Sequence, residues 1–324
     1  MLACGLLTRT QEVFLVSRFE QDTEAQAPTA LLEELLESDE ALIAAATAAD
    51  ETERLEERLA AYDDVIDAEI GDTNLFRCRH LERSHGLRQL YVKLESSNPS
   101  GTQKDRIAFA QARDALRRGY DTITVATCGN YGVAMALAAA GAGLRCQVYL
   151  PERYHSPRVT EMLAHGVELR RVDGDYERAV EISSAAAAEQ GLYDANPGGT
   201  NTDLQLEAYA AIAYEIYDEL RDAPLVVAAP VSNGTTLAGI HRGFVRLYKR
   251  GKTSRVPRIV AGSTFRKNPI VEAALRGLDR CEDLDPQRIR ETAVNEPLIN
   301  WHSSEGQQTL DAIASSEGWA GYAS

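Results

Sequence analysis

Primary amines are scarce in this chain. Of 324 residues only Lys93, Lys104, Lys249, Lys252 and Lys267 carry one. Lys104 stands apart because of its setting. It closes the polar run Ser96-Ser97-Asn98-Pro99-Ser100-Gly101-Thr102-Gln103, which links a Val- and Tyr-containing segment at Leu90–Leu94 to a helical pattern over Arg106–Arg118. A cation at a helix N-terminus faces the positive end of the helix dipole. That field disfavours the ammonium, lowers its pKa and leaves more free amine for nucleophilic work. The competing reading is a solvated lysine offset by Asp105.

Two further loops have the chemistry of anion cradles. Thr127-Cys128-Gly129-Asn130-Tyr131-Gly132 joins the apolar run Thr122–Ala126 to an Ala-rich helical stretch. Val231-Ser232-Asn233-Gly234-Thr235-Thr236 follows Leu225–Ala229 and precedes another helical stretch. In each, glycine permits a tight turn, hydroxyl and amide side chains supply donors, and helix N-terminal amides point outward. Taken singly, either loop is also explained by N-capping with Ser, Thr or Asn. Cys128 is either a thiol activated by a helix terminus or a small residue fitting a tight loop. Tyr131 either lines the pocket or takes part in acid–base work.

Together the three loops ask for a ligand with a phosphate, a carboxylate and an aldehyde that an amine can attack. Pyridoxal phosphate with an amino-acid substrate has those parts. Other phosphate binders fit less well: there is no GxxxxGKS or GxxxxGKT run, and Gly141-Ala142-Gly143 lacks the third glycine of a dinucleotide fingerprint.

The elements that must hold these loops follow from periodicity. Short strands are expected at Leu90–Leu94, Thr122–Ala126, Arg145–Leu150, Val167–Val172, Leu225–Ala229 and Arg258–Gly262. Helices are expected at Arg106–Arg118, Val133–Ala140, Tyr176–Gln190, Asp203–Arg221 and Thr236–Arg250. That alternation predicts an α/β fold of two domains with mainly parallel twisted sheets flanked by helices. In such sheets ligands sit beyond the carboxyl ends of strands, where all three loops lie. Residues 1–70 read differently, as a helical N-terminal extension. It has a short strand at Glu12–Val16, a helical run at Leu31, Leu32, Leu35 and Leu36, a cap at Asp50 with Glu53, and one apolar face of Leu55, Leu59, Tyr62 and Ile66. The expected domains are 1–70, 71–203 and 204–324.

Composition removes several classes of function. Thirty-four basic against 49 acidic residues give a net charge of −15 without a basic stripe, so a nucleic-acid partner is not expected. No apolar run approaches the roughly 18 residues of a membrane span. The five cysteines are scattered without CxxC spacing and the six histidines without HxxxH or HxH pairing, so no metal site is expected, and the cytoplasm is the expected compartment. The acidic group Glu282, Asp283 and Asp285 reads as a solvated loop, and Trp301 and Trp319 as packing residues.

SSNPSGTQKDR, TCGNYG and PVSNGTTLAG, in this order, resemble the fold type II (tryptophan synthase β) superfamily of pyridoxal-phosphate enzymes. Within it the chain is most similar to threonine synthases and their relatives, through Gly71-Asp72-Thr73-Asn74-Leu75 and YDANPGGTNTDLQLEAYAAIAYEI as well. The likeness covers 71–324. It implies that Lys104 forms the Schiff base with pyridoxal phosphate and moves protons at Cα and Cβ. It implies that Asn130 hydrogen-bonds the cofactor's phenolic oxygen, that Thr127, Cys128, Gly129 and Tyr131 close on the substrate carboxylate, and that Ser232, Asn233, Gly234, Thr235 and Thr236 hold the phosphate. The implied reaction converts O-phosphohomoserine and water to threonine and phosphate. The alternatives are elimination or replacement at the β-carbon of serine, threonine or an O-activated serine, and a catalytically impaired relative kept for binding. A homodimer is implied by the resemblance alone.

Two departures from the family pattern matter. Threonine synthases place a serine and an arginine around the Asn-Pro matching Asn196-Pro197 to grip the substrate's phosphate; here Asp194 and Gly199 stand nearby, and Asp194 is expected to repel a phosphate. Arg106 and Arg158 are the candidate substitutes. The chain also stops before the family's closing helices and strands, with their Ser or Thr at the pyridine nitrogen, so a fragment or a site open on one side is expected.

Overall fold

The computed structural model describes residues 54–127, 129–152, 154, 157–289 and 298–323. The expected strand at Glu12–Val16, the helix around Leu31–Leu36 and the cap at Asp50 lie outside these residues, as does Cys128.

Two parallel sheets carry the fold. The first has the order β5-β4-β3-β6, built from β3 (Thr122–Ala126), β4 (Arg145–Pro151), β5 (Glu168–Val172) and the two-residue β6 (Tyr193–Asp194). The second has the order β7-β8-β9, from β7 (Val226–Pro230), β8 (Arg258–Thr264) and β9 (Trp319–Ala323). Every pairing within these two sheets is parallel. A small antiparallel ribbon of β1 (Leu75–Arg77) and β2 (Tyr91–Lys93) precedes them. The chain is thus an α/β protein with parallel sheets flanked by helices. β3 is buried at all five positions, which is why it reads as a continuous Thr, Ile and Val run without alternation.

Ten α-helices lie among the described residues: α1 (Arg54–Glu69), α2 (Arg79–His85), α3 (Lys104–Arg117), α4 (Asn130–Gly141), α5 (Val159–Ala164), α6 (Tyr176–Gln190), α7 (Thr202–Leu220), α8 (Thr235–Lys249), α9 (Pro269–Arg276) and α10 (Gly306–Ser315). The apolar face predicted for α1 packs on the body of the protein. Tyr62 is buried there, stacks on Phe109 of α3 with ring centroids 5.7 Å apart, and donates its hydroxyl to the Ala138 carbonyl of α4 at 2.9 Å. α4 is apolar on nearly every side because it is enclosed between the sheet and its neighbours.

Several boundaries move towards the loops. α3 begins at Lys104 rather than Arg106 and α4 at Asn130 rather than Val133, so the chemically interesting side chains occupy first helical turns. β1, α2, α5, β6, α9, α10 and β9 have no counterpart among the elements expected from the sequence. β6 is too short for any period to show, and the α9 signal (Asn268 capping, Pro269 at the first position) is local rather than periodic. Trp319, expected to pack, is half-exposed on β9, and Trp301 donates its indole N–H to Asp175 at 3.0 Å. Among the described residues no helix is long and apolar enough to cross a membrane, and no group of His, Cys, Asp or Glu is placed to hold a metal.

α7 and α8 pack closely on each other, and a glycine allows it. A Cβ on Gly239 would lie 2.5 Å from the Tyr209 Cβ and 2.8 Å from the Leu206 carbonyl oxygen. Gly239→Ala is expected to lower unfolding free energy by about 1–3 kcal/mol in urea titrations, the usual cost of overpacking. Gly321→Ala in β9, where the added carbon meets open space, should change it by less than about 0.5 kcal/mol. Equal effects would mean that the α7–α8 contact is looser than described.

Candidate active site

The loop before α3 is shaped by side chains gripping backbone. Asn98 accepts from the Gly71 amide at 2.9 Å and donates to the Glu95 carbonyl at 2.8 Å, while Asp105 accepts from the Ser100 amide at 2.7 Å. These bonds bring Lys104 to the first turn of α3. Its Nζ lies 5.6 Å from the centre of the Tyr131 ring and 6.0 Å from that of Tyr209. Burial pushes the amine's pKa down, and the opposing pull of the Glu305 carboxylate is smaller. The sequence reading expected the same direction from the helix dipole; enclosure by protein is the main cause.

In the second loop the Thr127 hydroxyl accepts from the amides of Gly129 and Gly132, both at 3.1 Å, which draws the turn tight. Tyr131 presents its ring to Lys104. Its hydroxyl points elsewhere, donating to the Ala195 carbonyl at 2.8 Å and receiving a hydrogen bond from Gln111. Burial also holds that phenol well above its ordinary pKa, which disfavours its ionisation. Asn130 accepts from Arg158 Nη1 at 2.7 Å, and Arg158 Nη2 reaches the Ser100 carbonyl at 2.7 Å and Glu161 at 2.8 Å. Arg158 therefore clips the first loop to the second. Arg106 is committed too: its guanidinium forks onto Glu95 at 2.6 and 2.9 Å and onto Glu215 at the same two distances. Neither arginine stands ready to grip a substrate phosphate, contrary to expectation.

The third loop turns at Gly234, whose φ of +89° is a left-handed conformation. A Cβ there would come within 2.2 Å of the Thr309 hydroxyl, so the position is closed to larger residues. α8 starts at once, and its first-turn amides have no intrahelical carbonyl to bind. Asn268 holds the loop from behind, donating to the Ser232 carbonyl at 2.9 Å and to Asn300 at 2.9 Å; Asn300 in turn reaches the Asn233 side chain at 3.3 Å. The Tyr209 hydroxyl, which burial holds well above its ordinary pKa, makes no hydrogen bond among the described residues.

Glu305 was missed in the sequence. It lies wholly buried just ahead of α10, accepting from the Gly198 amide at 2.6 Å, the Thr202 hydroxyl at 3.3 Å and the Thr235 hydroxyl at 2.9 Å. An acid just before a helix ordinarily reads as an exposed cap, so the local pattern carried no sign of burial. Asp194, by contrast, does not point at a ligand. Its carboxylate turns back on Asn196, taking that residue's backbone and side-chain N–H groups at 2.9 and 2.7 Å.

Lys104 and the 232–236 loop thus share two neighbours: Tyr209, whose ring lies beside Lys104, and Glu305, which acts on the Lys104 charge through space and accepts from the Thr235 hydroxyl. An amine held towards neutrality beside a helix N-terminus with two threonines is a donor set that suits a phosphorylated aldehyde. Residues 66–320 match the family described as pyridoxal-phosphate dependent enzyme. The chain belongs to this family. Its cofactor is pyridoxal 5′-phosphate. Among curated relatives it is 31% identical over 252 residues to the threonine synthase of Methanocaldococcus jannaschii and 29% identical over 252 residues to that of Methanosarcina acetivorans, in both cases over 77% of this chain. It spans 60% of the length of each. Among solved structures it is similar to a pyridoxal 5′-phosphate-dependent aspartate racemase (TM-score 0.64, 20% identity, 82% of this chain and 78% of that one). It is also similar to the processed form of threonine deaminase isoform 2 from Solanum lycopersicum (TM-score 0.63, 18% identity, 85% and 71%). At these identities the structures share the fold of fold type II enzymes.

Asp105, next to the lysine, offers a pH test of the site's dryness. Burial raises its carboxyl to about 6 from an ordinary 3.8. A folded-state pKa above the unfolded one means that the native protein binds the proton more tightly, so stability is lost as pH rises from about 4 to about 6. Wild type should lose more stability across that window than Asp105→Asn, measured by urea midpoints at each pH. Parallel curves would show a solvated Asp105.

Proposed function

We propose that this protein acts on a small amino acid as a threonine-synthase-like lyase, eliminating a substituent and adding water, with Lys104 as the cofactor-bearing amine. The observation that carries this reading is the setting of Lys104, with the rings of Tyr131 and Tyr209 beside its amine and Glu305, which bonds Thr235 of the 232–236 loop, acting on its charge. When bound, pyridoxal phosphate supplies an electron-withdrawing ring in conjugation with the substrate nitrogen, which acidifies Cα–H. The chain does the rest. The first-turn amides of α8 and the hydroxyls of Thr235 and Thr236 hold the phosphate, and the turn from Thr127 to Tyr131 receives the substrate carboxylate. The Lys104 amine, its pKa lowered by burial, accepts and returns protons at Cα and Cβ. The ring of Tyr131 excludes water beneath it.

The likeness to threonine synthases favours O-phosphohomoserine as substrate. One observation favours a second reading, elimination from an uncharged amino acid such as serine or threonine: Arg106 is saturated by two carboxylates, and the buried acid of the pocket is Glu305. Phosphate release from O-phosphohomoserine supports the first reading, and ketoacid release from threonine or serine the second. Reconstituted wild type should show a visible band that borohydride bleaches. Lys104→Ala should lack it and lose on the order of 10²–10⁴-fold in turnover. A wild-type protein with no such band contradicts both readings, and a band without either product leaves a binding relative.

A further inference from the structure

Glu305 poses an electrostatic problem that the lyase reading leaves open. Its carboxylate holds the hydroxyl of Thr235, the first residue of the helix assigned to the cofactor's phosphate, at 2.9 Å. A dianion arriving at that helix terminus would meet a second negative charge on a wholly buried carboxylate. Compensation from neighbours is weak. The facing groups are Lys104 of α3, the Gly198 amide of the turn after β6, and the Thr202 hydroxyl of α7. Cys281 packs on the adjacent Gly306 with its thiol pushed up to about 11, and Asp194 is turned onto Asn196. Burial makes the Lys104 amine a poor counter-charge and also raises the Glu305 carboxyl above its ordinary range.

We propose that Glu305 takes up one proton from solvent when the cofactor's phosphate seats at residues 232–236, so that cofactor binding is coupled to its protonation. The inference rests on the assignment of that loop to the phosphate. The hydrogen-bond pattern allows the change at small cost. In the free protein the Thr235 hydroxyl donates to Glu305 Oε2. Once Oε2 carries the proton, that O–H donates to Thr235 Oγ1 and the threonine hydrogen turns to a phosphate oxygen. Charge balances: one proton enters with the dianion and no other group changes. Oε1 keeps its bonds to Gly198 and Thr202 throughout.

The probe is pyridoxine phosphate, which has the phosphate but no aldehyde, so no covalent step at Lys104 enters the measurement. Calorimetry at pH 8, above the phosphate's own second pKa of about 6, in two buffers of different ionisation enthalpy counts the protons taken up. Wild type is expected to take up close to one proton per ligand, with affinity falling up to about tenfold per pH unit above pH 7. Glu305→Gln is expected to take up almost none and to bind about tenfold more tightly at pH 8. Zero uptake by wild type, or equal uptake by both proteins, overturns the inference even if the variant folds poorly. Asn233→Asp separates this failure from that of the loop assignment. If the added charge leaves wild-type affinity unchanged, the phosphate sits elsewhere and both claims fall. If it weakens binding while Glu305→Gln does not strengthen it, only the Glu305 claim falls.

Discussion

A lysine amine enclosed between two tyrosine rings cannot keep its charge at the strength it has in water. Every other feature of the site either supports that enclosure or adjusts to it. Tyr131 closes one side because its hydroxyl is anchored on Ala195 and Gln111, and Tyr209 closes the other because α7 and α8 meet over a glycine. Glu305 acts on the charge of that amine through space. The result is a pair of groups each pushed towards its neutral form, which is the state in which an amine attacks a carbonyl.

Holding three loops from different parts of the chain at one point requires clips that do not slip. Arg106 ties Glu95, just ahead of the first loop, to Glu215 of α7, and Lys93 joins the same Glu215 at 2.6 Å. Burial works against ionisation of Glu215, yet Arg106 and Lys93 keep its carboxyl down at about 2. A buried pair of this kind adds little net stability, but losing one partner costs about 3–5 kcal/mol because a bare charge is left behind. Its contribution here is therefore positional. Arg158 plays the same part between Ser100 and Asn130. Both arginines are engaged in tying these segments together.

The frame was legible in the sequence because buried parallel strands and amphipathic helices leave strong periodic marks. β3 and α6 lie where the pattern predicted them, and the loops of interest fall at carboxyl ends of parallel strands. Glycine at 234 announced a turn that only glycine can make. What sequence did not carry was long-range pairing. Nothing near Arg106 tells that Glu215, more than a hundred residues on, will saturate it, so the arginine looked available. Nothing around Glu305 tells that it will be dry. Asp194 looked like a repelling charge because its partner, Asn196, was read as part of a motif rather than as a hydrogen-bond donor.

The central claim is that Lys104 and residues 232–236 serve one molecule. A crystal structure of the protein loaded with pyridoxal phosphate and reduced with borohydride tests it most directly. The account predicts continuous density from the Lys104 nitrogen to the ring, with the phosphate within hydrogen-bond reach of the first-turn amides of α8. Attachment at Lys93, Lys249, Lys252 or Lys267, or a phosphate resting away from that helix, would contradict it.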